Sequence, residues 1–505
     1  MEILNSIMTW VMKKRIHEVE LFMKYPNEVQ HELLPWLTYR ARNTSFGKEH
    51  GFQDIKNYQD FRNNVPLHSY EQLFPYIDKL LKGEQNILWP TEIRWFAKSS
   101  GTTNDRSKFI PVSDESLEDC HFKGGKDLLS IYLNNNPESR LFTGKNLSIG
   151  GSQQVNQFDN NSNSFYGDVS AVIMKNLPFW VQIIRTPSLE IALMDEWENK
   201  IEAMAQATLN EDVTSLSGVP TWTIVLLQRI LEITGKKDIS EVWPNLELFI
   251  HGAVSFTPYQ QLFTDIIKSP KMNYVETYNA SEGFFGIQDQ SDSKEMLLML
   301  DYGIFYEFIP LEESDKENPK TLLLDQVELN KVYEVVISTN AGLWRYRIGD
   351  TVRFTSLNPF RIKIAGRTKH FINAFGEELM IENAEKAIAI VSERTGFTID
   401  NFTAAPKFLS KGDAGAHEWV VEFSKSPTDI EDFANQLDAE LRKLNSDYDA
   451  KRQKDIALSR LIIHEAPSGT FYKWMKSRGK LGGQNKVPRL SNSREYVEDL
   501  LKFLN

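Results

Sequence analysis

A single cysteine, Cys120, serves all 505 residues, so no internal disulfide can form and a reducing, cytoplasmic setting is expected. Cys120 stands in a polar, acidic stretch, which argues for an unreactive thiol. Positive charge is also scarce. The 57 Lys and Arg residues against 69 Asp and Glu leave a net charge of −12. A nucleic-acid surface needs clustered cations, so no such partner is expected, although a local basic cleft for a small anion stays open. No apolar run reaches the roughly 18 residues that a membrane span requires, and no membrane partner is expected. The opening MEILNSIMTWVMKKRIHEVE has too short an apolar patch for a secretory leader, and its charges follow that patch. It reads as an amphipathic helix. The nine histidines show neither H-E-x-x-H nor Cys/His spacing, which argues against zinc. The G-x-S-x-G elbow and the G-x-G-x-x-G fingerprint are both missing, which argues against a serine hydrolase and a dinucleotide fold.

What is present suits a soluble globular chain. Hydrophobic residues make up 41% and charged residues 25%. Up to about Pro90 the pattern is helical. SYEQLFPYIDKLLKGE, for example, has helical apolar spacing and a closing glycine. From Trp95 onward short apolar runs alternate with helical stretches, which predicts an α/β core with sheets flanked by helices. LELFIHGAV and NYVETY read as strands, TWTIVLLQRILEITG and TPYQQLFTDIIKS as helices. The pattern changes near Gly366. The helix MIENAEKAIAIVSERTG, the strand HEWVVEF, a helix capped by Thr428 and Glu431, and the strand SRLIIHEA predict a small α+β domain of ferredoxin-like type. The expected division is 1–366, a large N-terminal domain, and 367–505, a small mobile C-terminal one.

Four segments carry chemistry. SSGTTNDRSKFIP, from Ser99, follows an apolar run and combines hydroxyls, Gly101 and Lys108. Such a loop can wrap phosphates through N–H and O–H donors, or can be an ordinary polar turn. It is not a Walker A loop, since it lacks the second glycine. YNASEGFFG, from Tyr278, places an aromatic ring, Ser281 and the hard-oxygen ligand Glu282 at a strand end. In RYRIGD, Asp350 follows Gly349 at an expected turn. It could accept from ribose hydroxyls, or pair with Arg345 or Arg347. GQNKVPRL holds Lys486 in a shaped loop, a compact cation suited to a developing anion.

In this order the four segments resemble the adenylate-forming superfamily of acyl-CoA synthetases, luciferase-like enzymes and peptide-synthetase adenylation domains. GRTKHFINAFGEELMIENAE looks like its hinge segment. The nearer resemblance is to the Gretchen Hagen (auxin-responsive) family of acyl acid amido synthetases, known from plant auxin and jasmonate conjugation and also present in bacteria. It includes NTSFGKEHGF and LSGVPTW and so spans nearly the whole chain; a bacterial member is expected. The resemblance implies an AMP-forming acid–amino acid ligase that uses ATP and Mg²⁺. Ser99, Ser100, Gly101, Thr102, Thr103 and Lys108 would hold the β- and γ-phosphates. Tyr278 would stack on adenine with Ala253 and Val254 along its edge. Ser281 would contact the α-phosphate and Glu282 the Mg²⁺. Asp350 would grip the ribose with support from Arg367. Lys369 would be the hinge, and Lys486, with Lys108 and Glu282, would carry catalysis. The acid, the amine acceptor and the oligomeric state are not legible. An acyl-CoA ligase and a non-catalytic nucleotide or acyl-ligand sensor are the alternatives. Asn104-Asp105-Arg106 departs from relatives that carry a glycine there.

Overall fold

The computed structural model describes residues 2–99, 108–150, 156–158, 161–194, 196–291, 293–368, 371–409, 414–427, 429–478 and 489–504. The N-terminal segment folds into helices up to Leu81, as its periodicity requires. Helix Tyr70–Leu81 shows why. Ser69 caps it and Gln72 completes the capping box, while Leu73, Ile77 and Leu80 recur on one face and are fully buried. Each such aliphatic side chain contributes about 1.5–3 kcal/mol by leaving water.

An eleven-stranded sheet follows. Strands Asn273–Ala280, Leu248–Gly252, Val213–Ser217, Lys145–Ser148 and Arg185–Thr186 run parallel. Helices such as Pro220–Thr234 lie between them in sequence. The remaining strands are antiparallel, from Gly283–Ile287 through Met296–Leu298, Phe360–Arg367, Tyr346–Leu357 and Val332–Thr339 to Ile304–Pro310. Strand Asn273–Ala280 is the seam: it is parallel to one neighbour and antiparallel to the other. A four-stranded sheet holds Trp95–Ser99 paired with Lys108–Val112.

The C-terminal part is α+β. Its sheet has three strands among the described residues, where a ferredoxin-like sheet has four. Strand Thr398–Lys407 is antiparallel to Ala416–Lys425, and Ile462–Ala466 joins in parallel on the far side. Helices Ile381–Thr395 and Ile430–Leu444 pack together. The second is capped by Asp429, whose side chain accepts from the Glu431 and Asp432 N–H groups; Thr428 lies outside the described residues.

Two large cores join these layers, beside two smaller clusters. One joins the N-terminal helices to the antiparallel strands. The other joins Trp197, Trp222, Phe249 and Tyr259 of the parallel half to Phe375, Phe402, Trp419 and Leu441 of the C-terminal part.

Candidate functional site

The carboxyl ends of parallel strands are where open α/β sheets bind ligands. At this edge lies a cleft of about 1380 Å³. Its lining includes Ser99, Ala253, Val254, Tyr278, Ser281, Glu282, Asp350 and Arg367. The sequence therefore named eight residues that five separate segments bring to one place. Ser100, Gly101, Thr102, Thr103, Lys369 and Lys486 lie outside the described residues.

Each position has a local cause. Ser99 and Lys108 face each other across the antiparallel pair that brackets the hydroxyl-rich loop. Lys108 Nζ donates to the Tyr346 hydroxyl at 3.5 Å and lies 5.8 Å from the Tyr70 ring. Ser281 and Glu282 form the turn between strands Asn273–Ala280 and Gly283–Ile287. Ala253 directly follows a parallel strand and has φ 69, a left-handed value unusual for a residue with a side chain. Gly252 before it allows a close approach: a Cβ there would stand 2.5 Å from the Thr277 carbonyl oxygen.

Asp350 lies within strand Tyr346–Leu357 rather than at a turn. Gly349, at φ 87, and a nearby register shift bend that long strand, which explains why its sequence reads as a break. Neither Arg345 nor Arg347 pairs with Asp350. Arg345 binds Glu307 at 2.7 Å and Arg347 binds Glu334 at 2.6 Å. Asp350 faces Arg367 across the antiparallel ladder and accepts from its Nε at 2.6 Å. The Tyr278 hydroxyl donates to its other oxygen, also at 2.6 Å. A carboxylate offers about four acceptor positions, so both contacts leave room for two ribose hydroxyls.

The charges are balanced across this edge. Burial pushes the Glu282 carboxyl above its usual range; Lys108 pulls it back and Asp350 adds to the rise. Burial works against the Arg367 charge, but Asp350 and Glu378 together hold the guanidinium above its ordinary range. Burial and then Asp350 push the Tyr278 hydroxyl far up, so it stays a donor. A half-buried, desolvated carboxylate at Glu282 fits a divalent cation, whose charge would offset that desolvation.

Sequence reasoning left several lining residues without a role: His251, Phe371, Asn373, Glu378, Asn492 and Arg494. Three of them, Phe371, Asn373 and Glu378, fall inside the segment read as the hinge. Arg489, three positions after Lys486 in the sequence, has a carbonyl that accepts from the Ala404 N–H at 2.9 Å. Asn492, Ser493 and Arg494 then reach the cleft. Cys120 is buried, its sulfur accepts from the Phe284 N–H at 3.1 Å, and burial pushes its thiol up to about 12. No helix among the described residues is long and apolar enough to cross a membrane.

Comparison with known proteins adds four findings. Family models described as the GH3 family N-terminal, central and C-terminal domains match residues 15–272, 297–367 and 382–495. The chain is 24% identical to the 4-substituted benzoates–glutamate ligase GH3.12 of Arabidopsis thaliana, covering 87% of this chain and 88% of that one. Among solved structures it resembles GH3.15 acyl acid amido synthetase with a TM-score of 0.62 at 18% identity, over 97% and 96% of the two chains. It also resembles a 2-hydroxyisobutyryl-CoA ligase in complex with 2-HIB-AMP and CoA, with a TM-score of 0.55 at 13% identity, over 95% and 92%.

Proposed function

The chain belongs to the GH3 family, and from that premise we propose that it is an ATP-dependent acyl acid amido synthetase. In the first half-reaction the substrate carboxylate attacks the α-phosphorus of ATP, giving acyl-AMP and pyrophosphate. In the second, an amine, expected to be that of an amino acid, attacks the acyl carbon of the mixed anhydride, and AMP leaves. One observation carries this reading. Ser99, Ala253, Val254, Tyr278, Ser281, Glu282, Asp350 and Arg367 line a single cleft at the carboxyl edge of the parallel strands.

The roles follow from the chemistry of each group. Ser99, Lys108 and the intervening Ser100–Thr103 loop hold the β- and γ-phosphates. Tyr278, Ala253 and Val254 bound the adenine, and Ser281 contacts the α-phosphate. Asp350, fixed between Tyr278 and Arg367, accepts from the ribose. Glu282 holds Mg²⁺, which when bound supplies positive charge against the phosphates. Carboxylate and triphosphate are both anions and repel each other. Lys486 offsets that charge in the transition state, and the segment around Lys369 acts as the hinge of the domain 367–505. The amine acceptor then needs a path to the anhydride, which movement of that domain opens.

Pyrophosphate exchange over a panel of carboxylic acids tests the first step. Product mass with amino acids or coenzyme A as acceptor tests the second. Lys486→Ala is expected to lower exchange about 10²–10³-fold while ATP binding persists. Normal exchange in that variant removes Lys486 from the reaction. A thioester in place of an amide makes the chain a coenzyme A ligase, and no exchange with any acid makes it a sensor.

A further inference from the structure

Asn373 lies between strand Phe360–Arg367 and helix Ile381–Thr395, in the cleft lining. Three hydrogen bonds meet on it. Its Nδ2 donates to the Ala253 carbonyl at 3.1 Å, its Oδ1 accepts from the Glu378 N–H at 3.3 Å, and its own N–H donates to Asn492 Oδ1 at 2.7 Å. Ala253 and Glu378 both have left-handed backbone, at φ 69 and φ 37, which residues with side chains keep only when their surroundings hold them. The Glu378 carboxylate lies 3.8 Å from Arg367, which binds Asp350. The contacts thus form a chain from the loop at Ala253 to Asp350. A branch reaches the segment that follows Lys486.

We propose that Asn373 is a positioning residue that sets the adenosine-facing groups, Ala253 on one side and Arg367–Asp350 on the other, in register with the C-terminal segment at Asn492. This rests on the reading of the cleft as a nucleotide site. Asn373 would touch no reacting atom; its effect runs through Ala253 and Glu378, so it acts on nucleotide affinity. Asn492 reaches the same point from the loop side, so its loss acts on the rate instead.

The test uses the full chain and titrates ATP, AMP and inorganic tripolyphosphate by calorimetry, alongside pyrophosphate exchange. Asn373→Ala removes two side-chain hydrogen bonds and is expected to weaken ATP and AMP by the same factor, about five- to a hundredfold. Tripolyphosphate binding, the melting temperature and kcat should hold, with KM for ATP rising in step. Asn373→Asp keeps the acceptor toward Glu378 but loses the donor toward Ala253, and it should weaken ATP about three- to tenfold, less than Asn373→Ala does. Should Asn373→Ala fail to fold, the Asp variant carries the test. Asn492→Ala should leave ATP affinity intact and lower kcat. The inference is overturned if Asn373→Ala binds ATP within twofold of wild type, or if tripolyphosphate weakens as much as AMP. A wild-type chain that binds ATP without exchange removes the ligase reading yet leaves Asn373 tested by binding. One that binds no ATP overturns both.

Discussion

Arg345 and Glu307 are 4% and 1% exposed, and the pair is fully engaged. The guanidinium also donates to Thr321 at 3.0 Å and to the Val65 carbonyl at 2.8 Å, and Tyr58 donates to Glu307 at 2.8 Å. Arg345→Met leaves a buried, uncompensated carboxylate, and about 3–5 kcal/mol of stability should be lost. Urea unfolding measures it, and a loss below about 1 kcal/mol would contradict the argument. Histidines show the same cost of burying charge. Burial holds His68 and His121 down to about 4 and His251 to about 3. An unfolded histidine takes up its proton near pH 6.5. The folded-state pKa is the lower one, so this stability is complete above pH 6.5 and is lost as pH falls toward 4 and 3. His251→Gln should therefore make the fall in unfolding midpoint between pH 6.5 and 4 shallower by about one proton. Parallel curves for wild type and variant would rule this out.

Elements follow local rules where those rules suffice. Helix Tyr70–Leu81 was legible because its cap, its apolar spacing and its closing glycine agree. WRYRIGDTVRF reads as β-rich, as the strand through Asp350 is, but its continuity across Gly349 was not legible, because a glycine in a bulged strand looks like one in a turn. The partner of Asp350 was also hidden: Arg367 meets it through strand register, and register is not a local property. Contacts between elements are equally non-local. Lys451, 7% exposed, reaches from the C-terminal part to within 4.8 Å of the Trp222 ring, which stacks on Trp197 at 3.7 Å. Burial holds its ammonium below the usual range, against the pull of Asp447, Asp168 and Glu377. The native state thus binds this proton more weakly than the unfolded chain does, and stability rises as pH climbs toward 10.5. Lys451→Met should be neutral or about 1 kcal/mol more stable at pH 7 and should lose that alkaline gain. Urea midpoints at pH 7 and pH 10 decide, and a clear destabilisation would show the ammonium to be favourable where it lies.

At the scale of the whole molecule, the second of the two largest cores crosses the expected boundary at 366. The Tyr259 hydroxyl donates to the Ala374 carbonyl at 2.5 Å, and Lys454 pairs with Glu198. A fragment 1–366 would expose Trp197, Trp222 and Tyr259, a patch of the kind that causes aggregation. That fragment is expected to bind a hydrophobic dye and to unfold without a cooperative transition. A sharp transition at the midpoint of the full chain would show that the large part stands alone.

The sequence by itself determined which groups are available and in what order. Hydroxyls with a lysine, a tyrosine with a serine and a glutamate, an aspartate after glycine and a late lysine are properties of residue type and spacing. The α/β alternation is likewise local, because apolar periodicity and turn residues act over a few positions. Only the tertiary structure decided that Tyr278 and Arg367 share Asp350, that Asn373 joins Ala253 to Asn492, and that the second core spans both parts. Those facts depend on strand register and packing between segments far apart in the chain, where no short-range preference acts.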